Sequence, residues 1–116
     1  MTQEDKDLLL RDLSARLPYK VKINVNGEED ILLELGVDTG WVNASYNIDD
    51  VKPYLRSMVD MTEEERHTFD TMTRGYTIHQ QTALFDWLNA HHFDYRGLIE
   101  IGLAIEVTEE HNPYKK

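Results

Sequence analysis

The chain has 116 residues, the length of one domain, and a domain of that size buries roughly two-thirds of its unfolded surface. Its apolar fraction of 41% is ordinary globular usage, and with no cysteine it can hold neither a disulfide nor a thiolate site. The formal charge of −10 argues against direct binding of nucleic acid, which needs a Lys/Arg surface, and no run approaches the ~20 apolar residues of a membrane span.

Thr2 followed by Asp5 reads as an N-cap, and Leu9, Leu10, Leu13 and Leu17 recur at helical spacing until Pro18. A helix over about 3–16 follows. The period then changes to two. Val21, Ile23 and Val25 alternate with Lys20, Lys22, Asn24 and Asn26, which predicts a half-buried strand over about 20–26. Asn26-Gly27 tolerates positive φ and closes a tight hairpin onto a second strand over about 29–37. Asp38-Thr39-Gly40 reads as a further turn, before a third strand over about 41–46. Two short connections in a row favour an antiparallel meander.

Asp49 or Asp50 can cap a short helix over about 50–58, with Pro53 tolerated in its first turn. Thr62-Glu63-Glu64-Glu65 is a capping box opening a helix over about 63–74, which Gly75 can close. Thr77 and Gln80 repeat that logic for a helix over about 78–91, whose inner face is Leu84, Trp87, Leu88 and His91. Asp94-Tyr95-Arg96-Gly97 looks like a turn. Ile101, Leu103 and Ile105 suggest a fourth strand over about 101–106, and 108–116 reads as a frayed tail. The whole is one α+β domain spanning 1–116: a three-stranded meander packed with helices. Its expected core is Leu9, Leu13, Leu17, Val21, Ile23, Val25, Leu33, Leu35, Tyr54, Leu55, Phe69, Leu84, Trp87, Leu88 and Leu98.

Two stretches carry a resemblance. Val51-Lys52-Pro53-Tyr54-Leu55-Arg56-Ser57-Met58 with Met61 to Glu65 is the first, and Asp86-Trp87-Leu88-Asn89 through Phe93 to Ile99 and on to Ala104 is the second. Together with the Leu8 to Pro18 segment, they resemble a family of short proteins from gut-bacterial genomes and their prophages, a family with no established activity. The family pattern commonly has proline where this chain has Ser57, and a small polar pair where it has Val59-Asp60. Both departures fall at a helix end and loop. The resemblance implies membership and no reaction.

Three groups of residues invite a chemical reading. A D-T-G tripeptide supplies the catalytic carboxylate of aspartic proteases, so a dimer could pair two copies of Asp38. Against this, Trp41 stands where a small residue follows the glycine, and residues 50–92 read as helices; the tripeptide is also a common turn. His91, His92 and Asp94 are metal-ligand types, but adjacent histidines on a helix point about 100° apart, and one is expected to pack beside Trp87 while the other faces solvent. Tyr95 and Arg96 could anchor a partner or a ligand carboxylate; the simpler account pairs Arg96 with Asp86 or Asp94. No phosphate-binding glycine loop and no nucleophile with its base is present in the sequence.

The expectation is therefore a cytoplasmic, non-enzymatic accessory protein of a bacterial or prophage gene cluster, without cofactor or metal, acting on a protein partner. The alternative is an acidic inhibitor that imitates nucleic acid in a basic enzyme groove; a dimeric protease using Asp38 is the remote one. Trp41, Tyr46, Tyr95 and Arg96 are the candidate partner-binding residues. By alternation Trp41 lies on the opposite face from Val42 and Tyr46, so one of the two rings should remain partly exposed.

Overall fold

The computed structural model describes residues 1–36, 39, 41–74 and 77–115. Its elements in chain order are α1 (Gln3–Arg16), β1 (Lys22–Val25), β2 (Glu28–Ile31), β3 (Leu35–Gly36), β4 (Trp41–Val42), β5 (Tyr46–Asn47), β6 (Val51–Leu55), α2 (Glu63–Thr73), α3 (Ile78–Ala90) and β7 (Ile105–Glu106). Short 3-10 turns at Leu17–Tyr19, Ile48–Asp50 and Met58–Asp60 join some of them. The fold is α+β. One sheet has the order β2-β1-β6-β7, and a second, three-stranded antiparallel meander is β3-β4-β5.

Local chemistry accounts for several boundaries. The Asp5 amide donates to Thr2 Oγ1 at the start of α1, and both capping boxes form, Thr62 with Glu65 and Thr77 with Gln80. Asn26 and Gly27 both have positive φ, at 53° and 96°, the two-residue turn that matches the twist of paired strands. Val25 therefore faces Glu28 across the β1–β2 hairpin.

The segment expected to be a helix over 50–58 is instead strand β6. It pairs antiparallel with β1 through Ile23–Pro53, Asn24–Lys52 and Val25–Val51, and parallel with β7 through Tyr54–Ile105 and Leu55–Glu106. Pro53 is compatible with this inner position because of parity. Val107 N–H donates to Leu55 C=O, so residues 51, 53 and 55 turn their polar groups toward β7, which begins opposite Tyr54, beyond the proline. The strand regions of the sequence also divide more finely than expected. The stretch expected as one strand over 29–37 holds β2 and β3 with a break between them, and Val37 lies outside the described residues. Residues 41–46 contain a turn, with Asn43 and Ala44 at positive φ, between β4 and β5. The fourth strand shrinks to Ile105–Glu106.

Asn43 explains the break after β2. Its Oδ1 accepts from Leu33 N–H at 2.8 Å and Glu34 N–H at 3.0 Å, and its Nδ2 donates to Ile31 C=O at 2.8 Å. Leu32 still donates to Val21 C=O and is fully buried, whereas Leu33, expected in the core, is 68% exposed. Asn43 and Asp30 also close the β2 edge at Ile31, whose C=O accepts from Asn43 Nδ2 and whose N–H donates to Asp30 Oδ1 at 2.8 Å.

The core collects Leu9 and Leu13 of α1, Val21, Ile23 and Val25 around β1, Leu32, Val42, Ile48, Val51, Leu55, Leu98 and Leu103. Leu17 and Leu35 pack at its margin, and Phe69, Leu84 and Trp87 are only half-buried. The segment 108–116, read from sequence as a frayed tail, is tied to the sheet at Tyr114. Tyr114 Oη accepts from Lys22 N–H at 2.9 Å and donates to Tyr54 C=O at 2.7 Å. By the β1–β6 register Lys22 and Tyr54 are the next pair, so the phenol stands where a ladder hydrogen bond would have formed. Among the described residues no helix is long and apolar enough to cross a membrane.

Candidate functional site

The aromatic and charged segment 86–99 is organised by the end of α3. His91 is the C-cap, His92 takes a left-handed conformation at φ 63°, His92 N–H donates to Asn89 C=O and Phe93 N–H to Leu88 C=O. These bonds make a Schellman motif with histidine where glycine is usual. The reversal drops Phe93 into the interior, where Arg56 N–H donates to His92 C=O and Asp94 N–H to Arg56 C=O, occupying the β1 side of the chain just beyond the end of β1. Asp94 is buried and accepts from Leu98 and Ile99 N–H, at 2.9 and 3.0 Å, holding the following turn.

Behind this corner lies an ionic cluster centred on α1. Asp12 and Arg16 are both 0% exposed, and Arg16 grips the carboxylate side-on, Nε to Oδ2 at 2.8 Å and Nη2 to Oδ1 at 3.1 Å. Arg16 Nη2 also donates to Phe93 C=O at 2.6 Å. Arg96 Nη1 reaches Asp12 Oδ1 at 3.4 Å and Tyr95 Oη at 2.9 Å, and Tyr95 Oη donates to Asn89 Oδ1 at 2.9 Å. Arg96 thus pairs with Asp12, not with Asp86 or Asp94 as sequence proximity suggested. One carboxylate between two arginines, together with the hydrogen bonds that hold it, replaces the local pair. The sequence signal for Asp12 and Arg16 was their i, i+4 spacing on the same face as Leu9 and Leu13.

His91 packs on Trp87, ring centroids 4.7 Å apart, with its Nδ1 2.9 Å from Trp87 C=O. His92 is half-buried and stacks on Tyr114 at 4.0 Å and 9°. Burial foremost, then the charges of Arg16, His91 and Arg56, push its imidazole down from 6.5 to about 4. Glu65, the N3 residue of α2, grips Arg56 with two hydrogen bonds of 2.7 Å and is held down from 4.5 to about 2, the hydrogen bonds from Arg56 being the main cause. Among the described residues no group of three or more His, Asp or Glu side chains is placed to hold a metal ion.

Both shifts make acid destabilising. Between about 6.5 and about 4 the unfolded chain takes up a proton at His92 that the folded chain refuses, so this contribution is present above pH 6.5 and lost as pH falls toward 4. The Glu65 contribution is present above about 4.5 and lost toward about 2. The urea midpoint should therefore fall in two steps on acidification. His92→Asn, which tolerates the left-handed conformation, should flatten the upper step alone. An unchanged midpoint between pH 7 and 4 in the parent protein would contradict the assignment.

The other partner-binding candidates separate. Trp41 and Gly36 face each other across β3–β4, opposite in parity to the Leu35–Val42 and Val42–Tyr46 pairs. Val42 is buried, Tyr46 Oη donates to Asp30 Oδ2 at 3.0 Å, and Trp41 is 46% exposed. Asp30, by hydrogen bond and charge, then desolvation and last Glu28 raise the Tyr46 hydroxyl above its usual value of 10.0. Asp38 and Gly40 lie outside the described residues; Thr39 makes long hydrogen bonds to Gly36 C=O and from Trp41 N–H, both 3.4 Å. Asp12, Arg16 and Asn89 are the residues of the cluster that sequence reading missed. No family model matches the chain, nor does any curated protein or solved structure.

Proposed function

We propose that the chain is a non-enzymatic, cytoplasmic accessory protein that works by binding another protein, with Trp41 as an anchor. The observation that carries this reading is the placement of an indole on the outer face of the β3-β4-β5 meander, 46% exposed, while the neighbouring Val42 is buried. Tryptophan is enriched at interface hot spots, where surrounding residues exclude water once a partner is seated. Exposed acids on neighbouring segments of the chain indicate the kind of partner. Glu28, Glu34 and Asp50 are exposed on β2 and on the segments flanking the meander, and Glu29 and Asp49 are exposed beside His111 and Lys6. A basic protein surface complements that rim. The service of a bacterial or prophage gene cluster rests on the resemblance of two stretches of sequence alone.

The test is affinity purification from the native cell with the parent protein and with Trp41→Ala. A partner bound directly by the parent should lose affinity by roughly 30-fold in the variant, the size of a hot-spot truncation, while the variant still melts cooperatively because much of the ring already stands in water. A partner that binds both proteins equally would overturn Trp41 as the anchor. The second reading, imitation of nucleic acid, is favoured by the same acidic rim. It requires that duplex DNA displace the captured partner in competition.

A further inference from the structure

We infer that Phe85, Tyr95 and Arg96 form a second docking point, specific for a protein segment that carries a carboxylate beside an apolar side chain. The inference rests on the reading of the chain as a protein-binding module, but not on Trp41. Arg96 is held rigidly from one end. Its Nη1 is engaged by Tyr95 Oη and Asp12, and its guanidinium carbon lies 4.8 Å from the centre of the Tyr95 ring. The other edge, Nε with Nη2, makes no hydrogen bond among the described residues, and neither atom is among the buried polar atoms lacking a partner. With the side chain 21% exposed, that edge meets solvent.

The same edge shows its use a few ångströms away. Arg16 holds Asp12 side-on through Nε and Nη2, the planar two-point grip for which a guanidinium is suited. Arg96 presents an identical grip, pre-oriented by Tyr95 and unoccupied by any described side chain. Pre-orientation matters because it removes the rotamer cost that makes a free surface arginine a weak binder. The apolar half of the docking point is Phe85, which is 49% exposed although its ring lies 5.4 Å from that of Tyr95. Tyr95 thus supports both a carboxylate grip and an apolar shelf. A carboxylate complements the grip, an aliphatic or aromatic side chain complements the shelf, and a peptide segment can carry both.

The experiment is a titration of isotope-labelled protein with acetyl-Leu-Glu-Leu-Glu-amide, with the Gln and Lys versions of that peptide as controls, followed by NMR at the backbone amides and at Arg96 Nε–H. The glutamate peptide should move Arg96 Nε–H and the amides of Phe85 and Tyr95, and bind about tenfold or more tightly than either control. Arg96→Gln should abolish the effect. Because that change also disturbs Asp12, Phe85→Ser supplies the independent arm: it alters an exposed ring and should weaken binding with the fold intact. Equal response to all three peptides, no response at Arg96 Nε–H, or a response from acetate as strong as from the peptide would overturn the inference. If the peptide fails here while Trp41→Ala still releases a captured partner, this inference falls and the protein-binding reading stands. If Trp41→Ala changes nothing while the titration is positive, Trp41 falls as the anchor and this docking point stands.

Discussion

Asp12→Ala should destabilise the protein by about 3–5 kcal/mol, a large part of the 5–15 kcal/mol typical of a whole domain. The size comes from what is left behind. Arg16 is fully buried, and the alanine removes two charge-assisted hydrogen bonds at 2.8 and 3.1 Å, leaving Phe93 C=O as its remaining partner. An unpaired guanidinium in a low-dielectric interior costs several kcal/mol more than a missing contact. The cluster is not for that reason a large net stabiliser, since burying the intact pair also costs desolvation. The double replacement Asp12→Leu with Arg16→Met should therefore be less damaging than Asp12→Ala alone. Urea unfolding of the singles and the double, read as a cycle, measures both claims. A midpoint for Asp12→Ala corresponding to less than about 1 kcal/mol of loss would show that the pair is not sealed from water.

The interactions legible in the sequence are those closed within a few residues. Asn26-Gly27 declares its hairpin, and Thr62 with Glu65 and Thr77 with Gln80 declare their helix starts, because each signal and its partner lie within one turn. Residues 50–58 misled for the same reason. An aspartate, then proline, then mixed apolar residues satisfy the opening of a helix as well as they satisfy a strand. The decision is made by β1, whose second edge needs a partner, and by β7 from the far end of the chain. Tyr114 is an extreme case, since its hydroxyl is recruited by Lys22 and Tyr54, 92 and 60 residues away. The candidate site divides in the same way. Alternation alone puts Trp41 and Tyr46 on opposite faces without saying which of them is outward, and the partner of Arg96 is not legible at all, because Asp12 lies 84 residues distant on another helix.

Phe93→Ala should cost about 3–5 kcal/mol, more than Trp87→Ala, although sequence alone singles out the tryptophan. Trp87 is half-buried at the end of α3, so its truncation forfeits only part of its transfer energy and should cost about 2 kcal/mol. Phe93 has no exposed surface. Its ring stacks on Trp87 at 5.7 Å and 28°, and the Arg56 guanidinium sits 4.3 Å above it. Removal leaves a cavity bordered by rings that cannot collapse together, because His91 is bonded to Trp87 C=O and Arg56 is pinned by Glu65. The loss should also travel. Arg56 stacked on Phe93 is what Glu65 grips, and Glu65 in turn caps α2, a helix with no fully buried residue of its own. Hydrogen exchange in the first turn of α2 should accelerate in Phe93→Ala more than in Trp87→Ala, beyond what the global loss of stability accounts for. Equal exchange at those amides in the two variants, after correction for global stability, would disconnect α2 from the corner and leave the capping box as its sole local support.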